Sequence, residues 1–373
     1  KPDYKGEINT FIFGFLNGII NSKLQENYKI ICTSKNISIF KKYSKKIGII
    51  KIKNINFFQK IILTTLAIFN FKYLFYFFNK IFYKKTNFKL EKKITHIYSP
   101  TSIFNNYSIK TKKILSPHDI QHMYFPQNFN FFRLRYRSFH FRNSFAKSNL
   151  IQSSSNFIKK NILSKYKNIN KNKIIVIKEG VDTKYFEFKS KNKKKNIVFF
   201  PAYYWPHKNH EFIISVFEKI IFKLNINCRL IMCGGIPGNN LNSFKTKMKK
   251  KFNKKIVHLG IINKNLLKNY YYKSKLILSP ASYESNSLPI LEAISCGSNV
   301  LASNIGPNIE LSKRLSFKIF KLNDETSLIK NFLRIWQDNK LQKLIIKKNK
   351  TKILKFDWTN YTKEFHQFSK NIN

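Results

Sequence analysis

The segment SPASYESNSLPILEAISCGSNVLAS, residues 279–303, sets two carboxylates, Glu284 and Glu292, eight residues apart in a chain with 18 acidic residues against 70 basic ones. A carboxylate accepts two hydroxyl hydrogens at once, so such a pair suits the hydroxyls of a sugar or a ribose. The neighbouring residues predict how the pair is held. KLILSP (275–280) reads as a strand and ASYESNS as a turn-rich loop. PILEAISC reads as a helix with proline in its first turn, and Gly297 as its C-terminal stop. NVLAS (299–303) is the next strand. Glu284 then lies in the loop after a strand's carboxyl end, and Glu292 about one turn into the helix. A capping box would give Glu292 a structural role, but it needs Ser or Thr three residues earlier, where Pro289 stands. Ligands of open α/β sheets bind at the carboxyl edge, and the N–H groups of a helix start favour anions. Two carboxylates beside a phosphate-binding helix end suit a nucleotide sugar.

A second strand–loop–helix pattern, FFPAYYWPHKNHEF (199–212), sets Lys208 just before a helix that starts near Glu211. A cation there opposes the helix dipole, which is explained if Lys208 and the helix start hold a diphosphate together. A third, ILSPHDIQHMYFP (114–126), ends a strand and enters a loop bounded by Pro117 and Pro126. His118 with His122, or His207 with His210, could suggest a metal. Neither pair has a third ligand at hand, so no metal is expected.

The elements that must position these residues are legible as short apolar runs alternating with longer helical patterns. KIIC (29–32), HIYS (96–99), KILS (113–116), LIQSS (150–154) and IIVI (174–177) read as strands. So do NIVFFP (196–201), RLIMCG (229–234), IVHLG (256–260), KLILSP and NVLAS. Most are separated by enough chain for a crossover helix, the signature of parallel α/β sheets. The polar, aperiodic stretch YFEFKSKNKKKN (185–196) reads as a linker. The expected organisation is one domain over 1–187, a second over 188–356, and a C-terminal helix over 357–373.

With 373 residues, 43% of them hydrophobic, the chain has material for two cores and is not of disordered composition. The net charge of +52 suggests anionic partners. Only seven of the basic residues are arginine, however: 133, 135, 137, 142, 229, 314 and 334. The excess of Lys, Asn, Ile, Phe and Tyr fits a drift toward residues with A/T-rich codons, whereas selection for base or phosphate reading tends to use arginine. No specific nucleic acid is expected, although so basic a surface should hold anionic lipid or polyanions weakly. The cysteines at 32, 228, 233 and 296 have no C-x-x-C spacing and read as free thiols in a reducing compartment. The opening residues are not a signal peptide, and without an initiator Met the chain is expected to begin inside a longer protein. IILTTLAIFNF (61–71) is apolar, but Lys60, Lys72 and Lys80 interrupt its surroundings. No transmembrane helix is expected. The stretch reads as a buried or amphipathic helix, or as one lying in a membrane interface with its lysines at the headgroups.

SYESNSLPILEAISCGSNVLAS resembles the E-x7-E signature of the retaining glycosyltransferases of family 4. The resemblance implies an α/β, GT-B fold: two Rossmann-like domains with parallel sheets facing an interdomain cleft. It also implies that Glu284 lies against the donor sugar and that Glu292 holds the nucleotide ribose, with Asn286, Ser287 and Leu288 in the donor-binding loop. The family often has glycines where this chain has Ser285 and Ser287. Residues 199–212 resemble the family's R-x4-K element, whose basic pair grips the donor pyrophosphate. Lys208 fills one position, and Tyr203 replaces the arginine of the other. The WPHKNH wording is similar to that of a branch of mannosyl- and related transferases of surface polysaccharides. His118 matches the His of an HD loop facing the donor sugar, and Asp119 orients that loop. Near the start, YKGEINTFIFGFLNGI resembles the family's glycine loop, in which Gly6 lets backbone approach donor phosphate. VIKEGVDTKYF (176–186) and FDWTNYTKEF (356–365) resemble the strand before the linker and the final helix.

The activity so implied is transfer of a sugar from a GDP- or UDP-sugar to a saccharide or lipid-linked acceptor, with retention and with no cofactor. It would take place in the cytoplasm, on the inner membrane face, against an anionic membrane surface. Two other readings stay open: a nucleotide-sugar epimerase of the same fold, and a polyanion- or nucleic-acid-binding protein.

Overall fold

The computed structural model describes residues 7–188, 194–236, 246, 248 and 250–372. The chain forms two compact units, Lys1–Gly180 with Trp358–Asn373, and Val181–Asp357. In both units every described strand pairing is parallel, so the expected parallel α/β class holds.

In the first unit, strands β3 (His96–Ser99), β4 (Lys112–Leu115), β5 (Leu150–Ser153) and β6 (Ile174–Val176) form one sheet in chain order. A separate pair is made by β1 (Lys29–Thr33) and β2 (Gly48–Ile52). The helices are α1 (Glu7–Asn21), the single turn α2 (Ile37–Phe40), α3 (Phe57–Ile68), α4 (Lys72–Glu91), α5 (Phe131–Lys147) and α6 (Asn156–Lys165). Side chains that accept a hydrogen bond from the first helical turn start three of them: Asn56 for α3, Asn130 for α5 and Ser155 for α6. The core is aromatic, with Phe11, Phe15 and Leu16 of α1 packed among Trp358, Tyr361 and Phe365.

The second unit is built on a six-stranded sheet in the order β12-β11-β10-β7-β8-β9. Its strands are β7 (Lys195–Pro201), β8 (Arg229–Cys233), β9 (Ile256–His258), β10 (Ser274–Ser279), β11 (Asn299–Ser303) and β12 (Lys318–Phe320). Its helices include α7 (His210–Glu218), α8 (Lys264–Lys273), α9 (Leu288–Ser295), α10 (Gly306–Ser312), α11 (Glu325–Gln337) and α12 (Asn339–Lys352); α13 (Trp358–Lys370) returns to the first unit. The strand period of two fills both faces of the sheet. Val198 and Phe200 of β7 join Leu276 and Leu278 of β10 in one core. Phe199 joins Ile277 and Val300 in the other.

This strand order fixes where a ligand can enter. From β7 the chain moves to β8 and β9 on one side, and later returns to β10 on the other. The β7/β10 neighbours are therefore the switch point, where the loops leaving the two strands part to give a crevice.

Candidate active site

The loop leaving β7 ends in a short turn, Pro206–Lys208, followed by Asn209 in the left-handed region at φ 66°. Asparagine tolerates that conformation, and it turns the chain into α7. The loop leaving β10 is tied to this turn, because Ser282 donates from both N (2.8 Å) and Oγ (3.2 Å) to the His207 carbonyl. The two loops bring Lys208 and Glu284 together as an ion pair in which the Lys208 ammonium donates to Glu284 Oε1. Both side chains are buried, at 6% and 8% exposure. Two charges 76 residues apart in sequence thus sit at the switch point. The lysine that opposes the helix dipole has a carboxylate partner, whose attraction offsets part of the cost of burying the two charges.

Glu292 lies on α9, which begins at Leu288 with Pro289 in its first turn. Gly297 ends the helix at φ 71°, and the Ser298 N–H reaches back to the Ala293 carbonyl at 2.9 Å. This is the glycine stop expected from the sequence. A Cβ at Gly297 would also meet the Phe188 ring at 2.6 Å. Tyr271, fully buried at the end of α8, donates its hydroxyl to Glu292 Oε2 at 2.8 Å. Burial and then the Glu292 charge hold the Tyr271 phenol well above its ordinary pKa, so it stays a donor. The same two causes push the Cys233 and Cys296 thiols up to about 12. Both are buried free thiols, as are Cys32 and Cys228.

The other residues that the resemblance assigns to donor binding differ in what they present. Ser287 is buried and donates to Asn308 Oδ1 at 2.6 Å, and Asn308 in turn donates to the Ser303 carbonyl at 2.9 Å. Asn286 is buried beside it. Leu288 turns its side chain into the core, so a part in binding would fall to its main chain. Tyr203 follows β7, and its ring lies so close to Gly235 that a Cβ there would fall 2.1 Å from Cε1. The phenol occupies the place where the resemblance calls for a guanidinium. Gly6 lies outside the described residues.

His118 belongs to the first unit, in the loop after β4. Its Nε2 donates to the Pro100 carbonyl at 2.7 Å, and its Nδ1 faces Glu179 at 3.7 Å. Pro100 follows β3 and Glu179 follows β6, so the carboxyl ends of three strands meet at this ring. Phe11 of α1 packs against it edge to face at 4.9 Å. Burial works against the charged ring, but the Glu179 carboxylate, the Pro100 carbonyl and Asp119 outweigh it and raise its pKa. With an acceptor at each nitrogen, the doubly protonated ring satisfies both. Asp119 accepts from the Gln121 N–H and pairs with Arg137, each at 3.0 Å, which orients the loop. His122 is buried against Phe141 and pushed down to about 4. His210 is likewise pushed down to about 3, by burial and then by His258 and Lys208, so it is a neutral ring stacked on Phe200 and Tyr204.

Sequence reasoning missed Glu179 and Tyr271. Glu179 had a signal, because the scarcity of acids that marks Glu284 marks it equally. Tyr271 had none, being one of 19 tyrosines.

Comparison with known proteins bears on this geometry. Residues 181–352 match the family described as Glycosyl transferases group 1. The O-antigen chain mannosyltransferase RfbU of Salmonella typhimurium is 28% identical over 193 residues, 51% of this chain and 52% of that protein, so the match spans about half the length of that relative. The crystal structure of Anabaena HepE in complex with UDP and glucose superposes with a TM-score of 0.68 at 12% identity, over 99% of this chain and 96% of that one. A glycosyltransferase from Rickettsia africae ESF-5 superposes with a TM-score of 0.68 at 18% identity, over 96% and 95% of the two chains. At those identities the likeness is one of fold, and it is the GT-B fold. The segment that carries Lys208, Glu284 and Glu292 is thus a match to the group 1 glycosyl transferases.

Proposed function

We propose that the chain is a retaining hexosyltransferase. It moves a sugar from a GDP- or UDP-sugar to a saccharide or lipid-linked acceptor in the synthesis of cell-surface polysaccharide or lipopolysaccharide. The observation that carries this reading is the buried Lys208–Glu284 pair at the β7/β10 switch point, with Glu292 one turn into the adjoining helix. A diphosphate entering there meets Lys208 and the first N–H groups of α9. Glu292, to which Tyr271 donates, is the acceptor for ribose hydroxyls. Glu284, by the resemblance, would lie against the donor sugar.

In the reaction the bond between the anomeric carbon and the diphosphate oxygen breaks, and the nucleoside diphosphate leaves with the electron pair. An acceptor oxygen bonds to the anomeric carbon on the same face and passes its proton to the departing diphosphate oxygen, which holds the released electron pair. Lys208 supplies positive charge to the leaving group where that charge develops, so it stabilises the transition state more than the bound donor. On this reading a metal ion is not needed for that task. By its resemblance to the HD loop, His118, whose pKa Glu179 helps to raise, is assigned a part at the transferred sugar. The mannosyltransferase name of the Salmonella relative and the UDP and glucose of the Anabaena structure agree with a nucleotide-sugar donor.

The test is a thermal-shift panel of UDP-, GDP- and ADP-sugars. A donor present at a hundred times its Kd should stabilise the protein by about 2.7 kcal/mol. A panel with no shift contradicts the reading. Conversion of the sugar without any acceptor would point to an epimerase instead.

A further inference from the structure

The first unit carries large apolar side chains that are exposed among the described residues. Helices α3 and α4 are joined by Phe69, Asn70 and Phe71, with Asn70 at φ 60°. Each helix buries one side, through Leu63 and Ala67 of α3 and Phe75 of α4. Each also turns large apolar side chains to solvent. On α3 these include Phe58 at 74% exposure and Ile62 at 38%; on α4 they include Tyr73 at 90% and Phe77 at 59%. Phe69 and Phe71 of the turn are exposed as well. Helix α5 packs on α3, with Arg135 Nε donating to the Ile68 carbonyl at 3.2 Å, and its first turn adds exposed Phe131 and Phe132. A soluble monomer rarely shows so large an apolar surface unless it has a partner.

The charge around this face identifies the partner's chemistry. Residues 57–90 hold six lysines (60, 72, 80, 84, 85 and 89) and no acidic residue. Helix α5 also has no acid, and it holds four of the chain's seven arginines, at 133, 135, 137 and 142. Drift toward lysine does not explain this concentration of arginine. Guanidinium groups pair with phosphate in two-point geometry. At the start of α3, Lys35, Lys53 and Lys60 surround a recess of about 340 Å³ beside Phe57. Among the described residues no helix is long and apolar enough to cross a membrane. Aromatic and aliphatic side chains set among lysines and arginines fit a surface that is apolar a few ångströms in and anionic at its edge.

We propose that the α3–α4 hairpin, with the first turn of α5, docks on an anionic phospholipid bilayer. The exposed rings enter the acyl boundary, the lysines and Arg133 meet lipid phosphates, and the recess at Lys35, Lys53 and Lys60 takes one phosphate group. This proposal stands apart from the transferase reading, since it needs no nucleotide sugar.

The experiment is flotation of the full chain with vesicles of phosphatidylcholine alone and of phosphatidylcholine with about a third phosphatidylglycerol. The wild type should float with the anionic vesicles, and less as salt is raised. Lys60→Gln/Lys72→Gln/Lys80→Gln should lower the partition coefficient on anionic vesicles by about a hundredfold. Phe58→Ser/Phe77→Ser, which leaves the charge intact, should lower it at least about tenfold. All five positions are exposed, and circular dichroism and melting of each variant serve as the check on folding. Equal flotation on neutral vesicles, undiminished flotation of the serine variant, or no flotation accompanied by self-association through this face would each overturn the proposal.

Discussion

The Lys208–Glu284 pair makes the stability of the second unit and its proposed chemistry rest on the same two atoms. Breaking a buried pair by removing one partner costs about 3–5 kcal/mol, while replacing both by apolar groups is often neutral. Lys208→Met should therefore lower the unfolding free energy by about that amount, and Lys208→Met/Glu284→Leu should recover most of it, as read by denaturant titration. Transfer activity should be lost in both. That separates a chemical role from a purely structural one, under which activity would return with stability. The His118–Glu179 pair has a pH signature. The raised pKa of folded His118 means that its ion pair stabilises fully below about pH 6.5, the ordinary value for histidine. That contribution fades as pH rises through the raised folded value. The stability gap between wild type and Glu179→Gln should be largest below about pH 6.5 and should shrink as pH rises above it. A gap independent of pH would mean that the ring is not held as a cation. The pairing of His118 with Pro100 and Glu179 could not be read from sequence, since they reach it only once three strands lie side by side.

At the scale of elements, ten strands were legible as apolar runs, and all ten are present. Two were not read. In β2 (GIIKI) a glycine and a lysine interrupt the run, and a lysine-rich stretch precedes it. Strand β12 (KIF) is three residues long at a sheet edge, too short to show a period. The α9 unit was legible because proline, the apolar spacing and glycine each act locally on the backbone. The close packing of α1 on α13 was not legible, because it depends on two glycines meeting a distant helix. A Cβ at Gly14 would fall 2.1 Å from Trp358 Cε2, and one at Gly18 would fall 2.4 Å from the Trp358 carbonyl oxygen. Alanine gains about 1 kcal/mol over glycine in a helix interior. The main-chain carbonyl met at Gly18 cannot swing aside like a flexible side chain, so the clash should outweigh that gain. Gly18→Ala should lower the melting temperature. A rise would show that α1 and α13 have room to part.

At the scale of the whole molecule, the +52 charge and the donor site make opposite demands on an experiment. A surface this basic will attract any nucleotide through its phosphates, in proportion to charge and with strong dependence on salt. In the proposed site, specific donor binding depends instead on Glu292, an acid, which non-specific attraction would not need. Replacing that acid should strengthen adsorption of a nucleoside diphosphate and weaken its recognition, so the sign of the effect separates the two. Most of this distinction was legible in sequence, because paired acids stand out in a lysine-rich chain. The orienting bond from Tyr271 was not. Calorimetric titration of UDP and GDP into wild type and Glu292→Gln at about 0.15 M salt is the most direct test. One of the two nucleotides should bind the wild type in a single site, and Glu292→Gln should bind it at least about tenfold more weakly, as expected for loss of a charged hydrogen bond. Equal or tighter binding by Glu292→Gln, or no saturable binding of either nucleotide, would contradict the assignment of a nucleotide-sugar site to this unit.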